Sequence, residues 1–516
     1  MDQLHQQLLD PSTYPETTHA VDFKETHISR IYLTDSHAYK LKKPLNLGFL
    51  DFSSLQKRHH FCQEEVRLNR RFTEDIYLGV VELRQQNGRV RFGNRGRLLD
   101  YAVQMRRLPE DRMLDRLIDA GSAELPAEMP RLGRALHRVL EQAETCLDEP
   151  VRNAVIVKRN CEENFSQTTS AIGASLTSEA HKLMQIAAEQ DLAELEELML
   201  DRETKGFVRD GHGDLHTANI CMTDPICIYD CIEFNRRYRV ADILADLAFL
   251  IMDLEFRGRR DLAEMLMTQY RAHAKTSNDG HLLLFYKQYR AWVRGKVDAM
   301  LAADPESTAE TREQASKMAR RYFNLALGYR IRPTLFLTSG LMGVGKTTLA
   351  RALAQAVGAS HLRSDVVRKQ LAGIPEGQAC QDNFATGLYS QEMTKRTYDA
   401  LFRAAAKLLS AQRSVIVDAA FARDDQRNRF IALAERAGYP VWLLHLECPA
   451  NVTLQRLDQR IGDASDGRRE LFAQQKASFN HMPTASRVVP VDTTRAVDYN
   501  VQSLLCRVLI NQERFT

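Results

Sequence analysis

No run of apolar side chains in the 516 residues approaches the roughly 20 that a membrane span requires. The opening residues, Met1 to His5, lack a basic stretch followed by an apolar one, so a secretory leader is not expected. Neither sign of charge is in excess. The 70 Lys and Arg against 67 Asp and Glu leave a net +3, which gives no argument by itself for a nucleic-acid or membrane surface. The nine cysteines contain no CxxC pair. Cys221, Cys227 and Cys231 cluster, but at spacings that suit no common zinc site, and they read as buried thiols. These absences together place the expected chain in a reducing cytoplasm. No internal repeat or low-complexity tract interrupts the N-terminal half, and the length suggests about two to four domains with ample chain for sizeable cores.

What is present is organised around Thr334 to Leu349. A short apolar run rich in β formers ends at Ser339, and helical spacing resumes from Leu349. Between them lies G-x-x-x-x-G-K-T, with Gly340, Gly345, Lys346 and Thr347 in the defining places and Gly343 and Thr348 beside them. Glycines let successive backbone N–H groups turn inward around phosphate oxygens, and the new helix points its positive end at them. Lys346 can reach the β/γ-phosphates of ATP, and the Thr347 hydroxyl can bind Mg²⁺.

Upstream, two extended runs between His27 and Pro44 flank Thr34 to His37 and predict a hairpin. Strand alternation puts Lys40 and Lys42 on one face. Leu55 to Phe72 reads as a charged helix with Glu64 and Glu65 in its middle. Val80–Leu83 and Arg89–Phe92 read as strands around an Asn87-Gly88 turn, and Asp100 to Leu108 as a further strand stopped by Pro109. From Met113 to about Leu200 the pattern is helical, broken around Pro126, Pro130 and Pro150. Glu189 to Glu203 is an acidic solvated face.

Two later segments carry chemistry. In His212-Gly213-Asp214 an Asp is followed five residues on by Asn219, and a second Asp, Asp230, follows a short apolar strand. Asp214 can accept a substrate hydroxyl proton, while Asn219 and Asp230 can hold Mg²⁺ against ATP phosphates. H-G-D-x-x-x-x-N with a following I-Y-D resembles the aminoglycoside phosphotransferase and choline kinase-like superfamily, and D-x-x-x-D-L-A from Asp242 matches a helix of that family. The resemblance covers about residues 20 to 300. It implies a protein-kinase fold in which Lys40 or Lys42 contacts the α/β-phosphates, paired with Glu64 or Glu65, and Gln104 to Leu108 form the adenine hinge. The sequence departs from that pattern in having no clear G-x-G-x-x-G loop in its first fifty residues.

Beyond the P-loop, Asp365 ends a short strand, placed to act as a general base on a hydroxyl, and Arg368 lies one turn later to hold an anionic group. Asp418 ends another apolar strand and suits a Walker B position around Mg²⁺. Val441 to Pro449 is a further buried strand, and Arg456 and Arg460 share a helix face as a nucleotide lid. This ordered set resembles the small P-loop kinases, among them zeta toxins, polynucleotide 5′-kinases, gluconate kinase and chloramphenicol phosphotransferase, over about residues 333 to 500. The whole order resembles the bacterial bifunctional aminoglycoside phosphotransferase/ATP-binding proteins.

The expected architecture is an α+β bilobal protein-kinase-like domain over residues 1–330, a joint at Arg330 to Pro333, and an α/β P-loop domain with a parallel sheet over 331–516. The expected activity is ATP- and Mg²⁺-dependent phosphoryl transfer to a small-molecule or nucleotide-like hydroxyl, with a nucleic-acid end open for the C-terminal domain and no membrane partner. The alternative is a single N-terminal kinase governed by a non-transferring P-loop switch. Asp365 and Arg368 discriminate, since a switch needs no base beside the γ-phosphate.

Overall fold

The computed structural model describes residues 3–48, 50–147, 151–273, 279–375, 378, 387–459, 469–477, 479 and 487–512. The chain forms two compact units, Met1–Asn160 with Asp191–Arg290, and Cys161–Gln190 with Ala291–Thr516. Among the described residues no helix is long and apolar enough to cross a membrane.

The first unit is built on a six-stranded antiparallel sheet in the order β1-β2-β3-β6-β4-β5. Its strands are β1 (Asp22–Glu25), β2 (Ser29–Leu33), β3 (His37–Lys42), β4 (Tyr77–Gln86), β5 (Arg89–Phe92) and β6 (Arg97–Arg106). Asn87 and Gly88 join β4 to β5 with φ of 53° and 78°, the left-handed pair that a two-residue hairpin turn requires. Alternation in β3 divides two cores. Tyr39 and Leu41 turn to one face with Tyr14, Tyr32 and Phe92. Ala38 turns to the other, against Cys62 and Val66 of helix α1 (Leu55–Asn69). Lys40 and Lys42 share the α1 face with Ala38. The N-cap of α1 is Ser54, whose side chain accepts the Lys57 N–H at 3.2 Å.

Pro126 and Pro130, expected as breaks, lie together in one helix, α2 (Leu125–Gln142). Pro126 falls in the first turn, where its missing N–H has no intrahelical partner to lose. Pro130 gives up one hydrogen bond in a helix that buries Met129, Leu132, Leu136 and Leu140. Pro150 lies outside the described residues. Further along, β7 (Val208–Asp210) pairs with β10 (Val240–Asp242), and β8 (Ile220–Cys221) pairs with β9 (Cys227–Ile228). Every residue of the following helix α3 (Ile243–Phe256) is buried.

The second unit carries a five-stranded parallel sheet in the order β12-β13-β11-β14-β15. The strands are β11 (Leu335–Ser339), β12 (Ser360–Arg363), β13 (Val415–Asp418), β14 (Val441–Glu447) and β15 (Val488–Asp492). Leu335, Leu337, Val415, Val417 and Leu443 meet Leu401, Ala405 and Phe430 from the helices Gln391–Ser410 and Asp424–Arg436. The P-loop helix α4 (Lys346–Val357) packs with the helices Ala309–Gly328 and Val497–Gln512. Asn324 Nδ2 donates to Asp498 O at 2.8 Å, and Gln502 Nε2 donates to Asn324 Oδ1 at 3.2 Å. Helix Ala309–Gly328, on the N-terminal side of the expected joint, is thus tied to the parallel-sheet unit. Burying all five residues of β11 between neighbours on both edges brings the carboxyl ends of β11 and β13 together, where ligands bind in such sheets.

Candidate functional site

In the parallel-sheet unit the loop after β11 is shaped by its glycines. Gly343 and Gly345 have φ of 76° and 96°, and a Cβ on Gly343 would come within 2.8 Å of Leu457. Gly345 is the N-cap of α4, so the helix's first N–H groups open into the loop. Lys346 Nζ donates to the carbonyls of Gly340 and Leu341 at 3.0 and 2.8 Å, which folds the amine over the loop. The Thr347 hydroxyl faces Asp418 and favours its charged form. Thr348 is exposed in the first turn of α4.

Asp418 is almost fully buried at the end of β13. Burial opposes its charge, but hydrogen bonds from His361 and Thr347, with the charges of His361 and Lys346, more than offset this and hold its pKa below the usual carboxylate value. Thr338 Oγ1 stands 3.3 Å from Asp418 Oδ1, and His361 Nε2 stands 3.2 Å from Oδ2. A loop that a Cβ would obstruct, beside an anionic carboxylate that the P-loop hydroxyl faces, fits a nucleotide phosphate chain and a divalent cation.

Arg456 is brought to this loop. It donates to Thr493 Oγ1 at 3.1 Å and to Thr493 O at 2.8 Å, and its Nη1 lies 3.7 Å from where a Gly345 Cβ would stand. Arg460 lies outside the described residues. Asp365 is half-buried in the first turn of helix α5 (Ser364–Leu371). Arg368, 7% exposed, donates from Nη1 to Leu388 O and Thr394 Oγ1 at 3.2 Å each, and its guanidinium lies 4.8 Å over the Tyr389 ring. Its Nε has no hydrogen-bond partner. Burial pushes the Tyr398 hydroxyl up to about 12, with Arg368 pulling it down and Asp365 pushing it up, so both residues of the D-x-x-R motif act on one phenol. Tyr398 in turn accepts the Phe421 N–H at 3.2 Å, three residues past Asp418. Tyr398, Thr338 and His361 carried no motif in the sequence. Parallel register brings Thr338 and His361 to the site, and the helix Gln391–Ser410, packed on the sheet, brings Tyr398.

In the antiparallel-sheet unit the structure brings together residues up to 191 positions apart. Lys40 Nζ lies 2.8 Å from Glu65 and 2.5 Å from Asp230. Lys42 Nζ lies 2.6 Å from Glu65 and bonds Glu233 as well. Of the two acidic residues on α1, the pairing falls to Glu65. Glu64 turns outward and pairs with Arg67 at 2.7 Å, because one residue along a helix is a rotation of about 100° and only one of the two can face the sheet. Burial pulls the Lys40 pKa down, but Asp230, Glu65 and Glu233 more than offset it and leave it well above the ordinary value. Glu65 is held low, despite burial, by Lys40 and Lys42. Glu233 is raised, because burial outweighs the pull of Lys42 and Glu65 adds repulsion.

Asp230 adopts φ of 65°, in the left-handed region that few non-glycine residues enter and that Asp enters more readily than most, and its N–H donates to the Tyr77 hydroxyl at 3.0 Å. The loop carrying Asp214 is fixed from beneath by α3. Asp246 accepts the N–H groups of His212 and Gly213 at 2.7 and 2.9 Å, and Arg290 donates to Gly213 O at 2.9 Å. Asn219 Nδ2 donates to Asp214 O at 2.9 Å, which directs its Oδ1 away from that residue. His216 Nε2 stands 3.4 Å from Asp214 Oδ2. Tyr229 N–H donates to Asn219 O at 3.1 Å, joining the strand that ends at Asp230 to the loop. In the expected hinge, Gln104 Nε2 turns to the Tyr39 hydroxyl at 3.0 Å, on the opposite face of the sheet from Lys40. Glu233 was not singled out from the sequence. Its only signal is its place three residues after Asp230.

Residues 335–482 match the family described as AAA domain, so the parallel-sheet unit contains an AAA-type P-loop domain. Over nearly its whole length the chain is similar to a Mycobacterium tuberculosis protein described as uncharacterized. The identity is 29% over 481 residues, covering 91% of this chain and 92% of that protein, and a Mycobacterium bovis protein matches at the same figures. Among solved structures it is similar to a gluconokinase from Sinorhizobium meliloti 1021, 19% identical over 36% of this chain and 98% of that one, with a TM-score of 0.28. It is also similar to the Mycobacterium tuberculosis APS kinase CysC in complex with AMPPNP and APS, 17% identical over 34% and 97%, with a TM-score of 0.26.

Proposed function

We propose that the chain is an ATP-dependent phosphotransferase with two ATP-binding halves, residues 1–330 and 331–516, each passing the γ-phosphoryl of ATP to a hydroxyl acceptor. The N-terminal half is read as a bilobal protein-kinase-like domain of the aminoglycoside phosphotransferase kind, and the C-terminal half as a small P-loop kinase. The observation that carries the two-site reading is the contact of Lys40 with both Glu65 and Asp230, which makes a lysine–glutamate pair and a candidate metal carboxylate into one cluster. Mg²⁺, when bound, would neutralise charge developing on the phosphates.

In the N-terminal half Lys40 holds the α/β-phosphates, Asn219 and Asp230 supply oxygens to the ion, and Asp214 accepts the acceptor's hydroxyl proton. Lys42, enclosed between Glu65 and Glu233, fixes Glu65 for Lys40. In the C-terminal half the Gly340–Thr348 loop and Lys346 hold the β/γ-phosphates, Thr347 and Asp418 hold Mg²⁺, Arg456 covers the nucleotide, and Asp365 acts as base. Arg368 is buried with an unused Nε, which suits it to an anionic acceptor. Asp365 and Arg368 favour transfer over a pure nucleotide switch. The test is to incubate the full chain with labelled ATP, Mg²⁺ and fractionated small molecules, beside Asp214→Ala and Asp365→Ala. Two products, each abolished by one substitution, are expected. One product abolished by Asp214→Ala and untouched by Asp365→Ala would reduce the P-loop half to a switch.

A further inference from the structure

The Asp418 carboxylate must present an oxygen to a cation while buried among groups that could turn it away. Three side chains surround it. Thr347 faces it from the P-loop, Thr338 approaches Oδ1 from β11, and His361 approaches Oδ2 from β12. They are not equivalent. The Thr347 hydroxyl is itself a candidate ligand, so it would turn to an entering ion and could not also fix the carboxylate. Thr338 Oγ1 is already shared, accepting the Ala419 N–H and facing Ala419 O at 3.1 Å each. His361 is the member of the set with no place on the phosphate side. It stands on the edge strand β12, opposite Ile416 in the register, while Arg363 stands opposite Asp418. Its ring therefore reaches diagonally along the sheet to the carboxylate two residues further on, a reach that a long planar side chain makes between neighbouring strands. Its side chain is only 17% exposed, although an edge strand offers solvent.

We propose that His361 is a positioning residue of the C-terminal site: its Nε2–H bond to Oδ2 fixes the rotation of the Asp418 carboxylate and leaves the other oxygen aimed at Mg²⁺. The inference rests on reading Asp418 as the metal carboxylate. Outer partners that orient a ligand are worth about 10–100-fold in metal affinity or activity. His361→Phe keeps a ring of similar size and removes the donor, whereas His361→Gln keeps a donor on a flexible arm.

The experiment uses the full chain with its N-terminal site silenced by Asp230→Ala. It measures binding of a fluorescent ATP analogue, without metal and across a Mg²⁺ titration, for wild-type His361, His361→Phe, His361→Gln and Asp418→Asn. The expected result is a Mg²⁺ half-saturation raised about tenfold or more by His361→Phe and largely restored in His361→Gln. Metal-free analogue binding, carried by the P-loop, should stay level across the His361 series. A destabilised but otherwise ordinary variant would lose both kinds of binding together, so equal loss with and without metal overturns the proposal. An unchanged half-saturation in His361→Phe also overturns it. If Asp418→Asn still raises the Mg²⁺ requirement, only the role of His361 falls. If Asp418→Asn leaves it unchanged as well, the metal assignment of Asp418 falls with it.

Discussion

Lys40 and Lys42 sit two residues apart on one strand face and share Glu65, yet their replacement should have opposite consequences. Lys42 Nζ is fully enclosed, its partners Glu65 and Glu233 being 0% and 5% exposed. Lys42→Met leaves Glu233 buried without its donor, and removing one partner of a buried pair costs about 3–5 kcal/mol. Glu233 can escape part of this by taking up a proton. From its reference pKa of 4.5, protonation at pH 7 costs about 3.4 kcal/mol, so the two routes give the same size of penalty. The sign follows. A carboxyl whose folded pKa is raised gains stability below its unfolded value and loses it as pH rises through the folded one. The deficit of Lys42→Met should therefore be largest at neutral pH and shrink toward pH 4.5.

Lys40→Met leaves Glu65 with Lys42, and its other partner, Asp230, is 41% exposed and can be hydrated. With Glu65 still paired, that loss should be about a third as large or less, with ATP binding in the N-terminal half abolished. Tryptophan fluorescence will not read this unit, because Trp292 and Trp442 both belong to the other one. Cys62 does, being fully buried between α1 and the sheet. The assay is urea-dependent alkylation of Cys62 in the full chain, read by peptide mass. With a urea slope of about 3 kcal/mol per molar, Lys42→Met should move the midpoint down by about 1 M or more, and Lys40→Met by a third of that or less. Equal destabilisation by the two substitutions refutes the reasoning. A Lys42→Met protein that keeps Cys62 protected and loses ATP instead would exchange the lysines' roles.

Three further outcomes are expected. Lys346→Ala should abolish ATP use by the P-loop half while Trp442 fluorescence reports an intact fold, and turnover surviving in an Asp230→Ala background would contradict it. Asp230→Ala should remove Mg²⁺-dependent ATP binding from the N-terminal half, whereas Asp214→Ala should spare binding and lose transfer; equilibrium binding of a labelled ATP analogue separates the two. Arg368→Ala should lower use of an anionic acceptor about ten- to hundredfold, from the about 1.5–3 kcal/mol of a charge-assisted bond, with ATP affinity intact. Loss of ATP affinity with acceptor use unchanged would move Arg368 into the nucleotide site.

The elements that chain-local chemistry determines were legible in the sequence. The Asn87-Gly88 hairpin, the Ser54-capped helix and the strand–glycine loop–helix at Gly340 each follow from a few neighbouring residues. What was not legible depends on how elements are turned against each other. Whether Glu64 or Glu65 meets the lysines is a question of helix phase relative to the sheet, and no residue within α1 decides it. Helix Ala309–Gly328 carries an unremarkable pattern, and its place beside α4 is fixed by contacts such as Asn324 with Asp498 and Gln502, more than 170 positions away. His361 reads as a polar residue in a short strand until parallel pairing sets it against β13.

The two halves also hold their lysines by different means, and this explains why one was easier to find than the other. Lys346 is directed by backbone: its amine meets the carbonyls of Gly340 and Leu341, six and five residues back, so its grip is written in one contiguous motif. Lys40 is directed by side chains from two separate places, α1 and the segment after β9, and its charge is maintained against burial by carboxylates that the chain supplies 25 and 190 residues later. A loop-directed lysine tolerates changes elsewhere but not a Cβ in its loop. A carboxylate-directed lysine tolerates any local backbone that keeps the strand, yet fails when one distant charge is removed. The doubled pairing of Glu65 follows from this, since Lys42 keeps that carboxylate ionised and in place whether or not Lys40 has turned toward a phosphate.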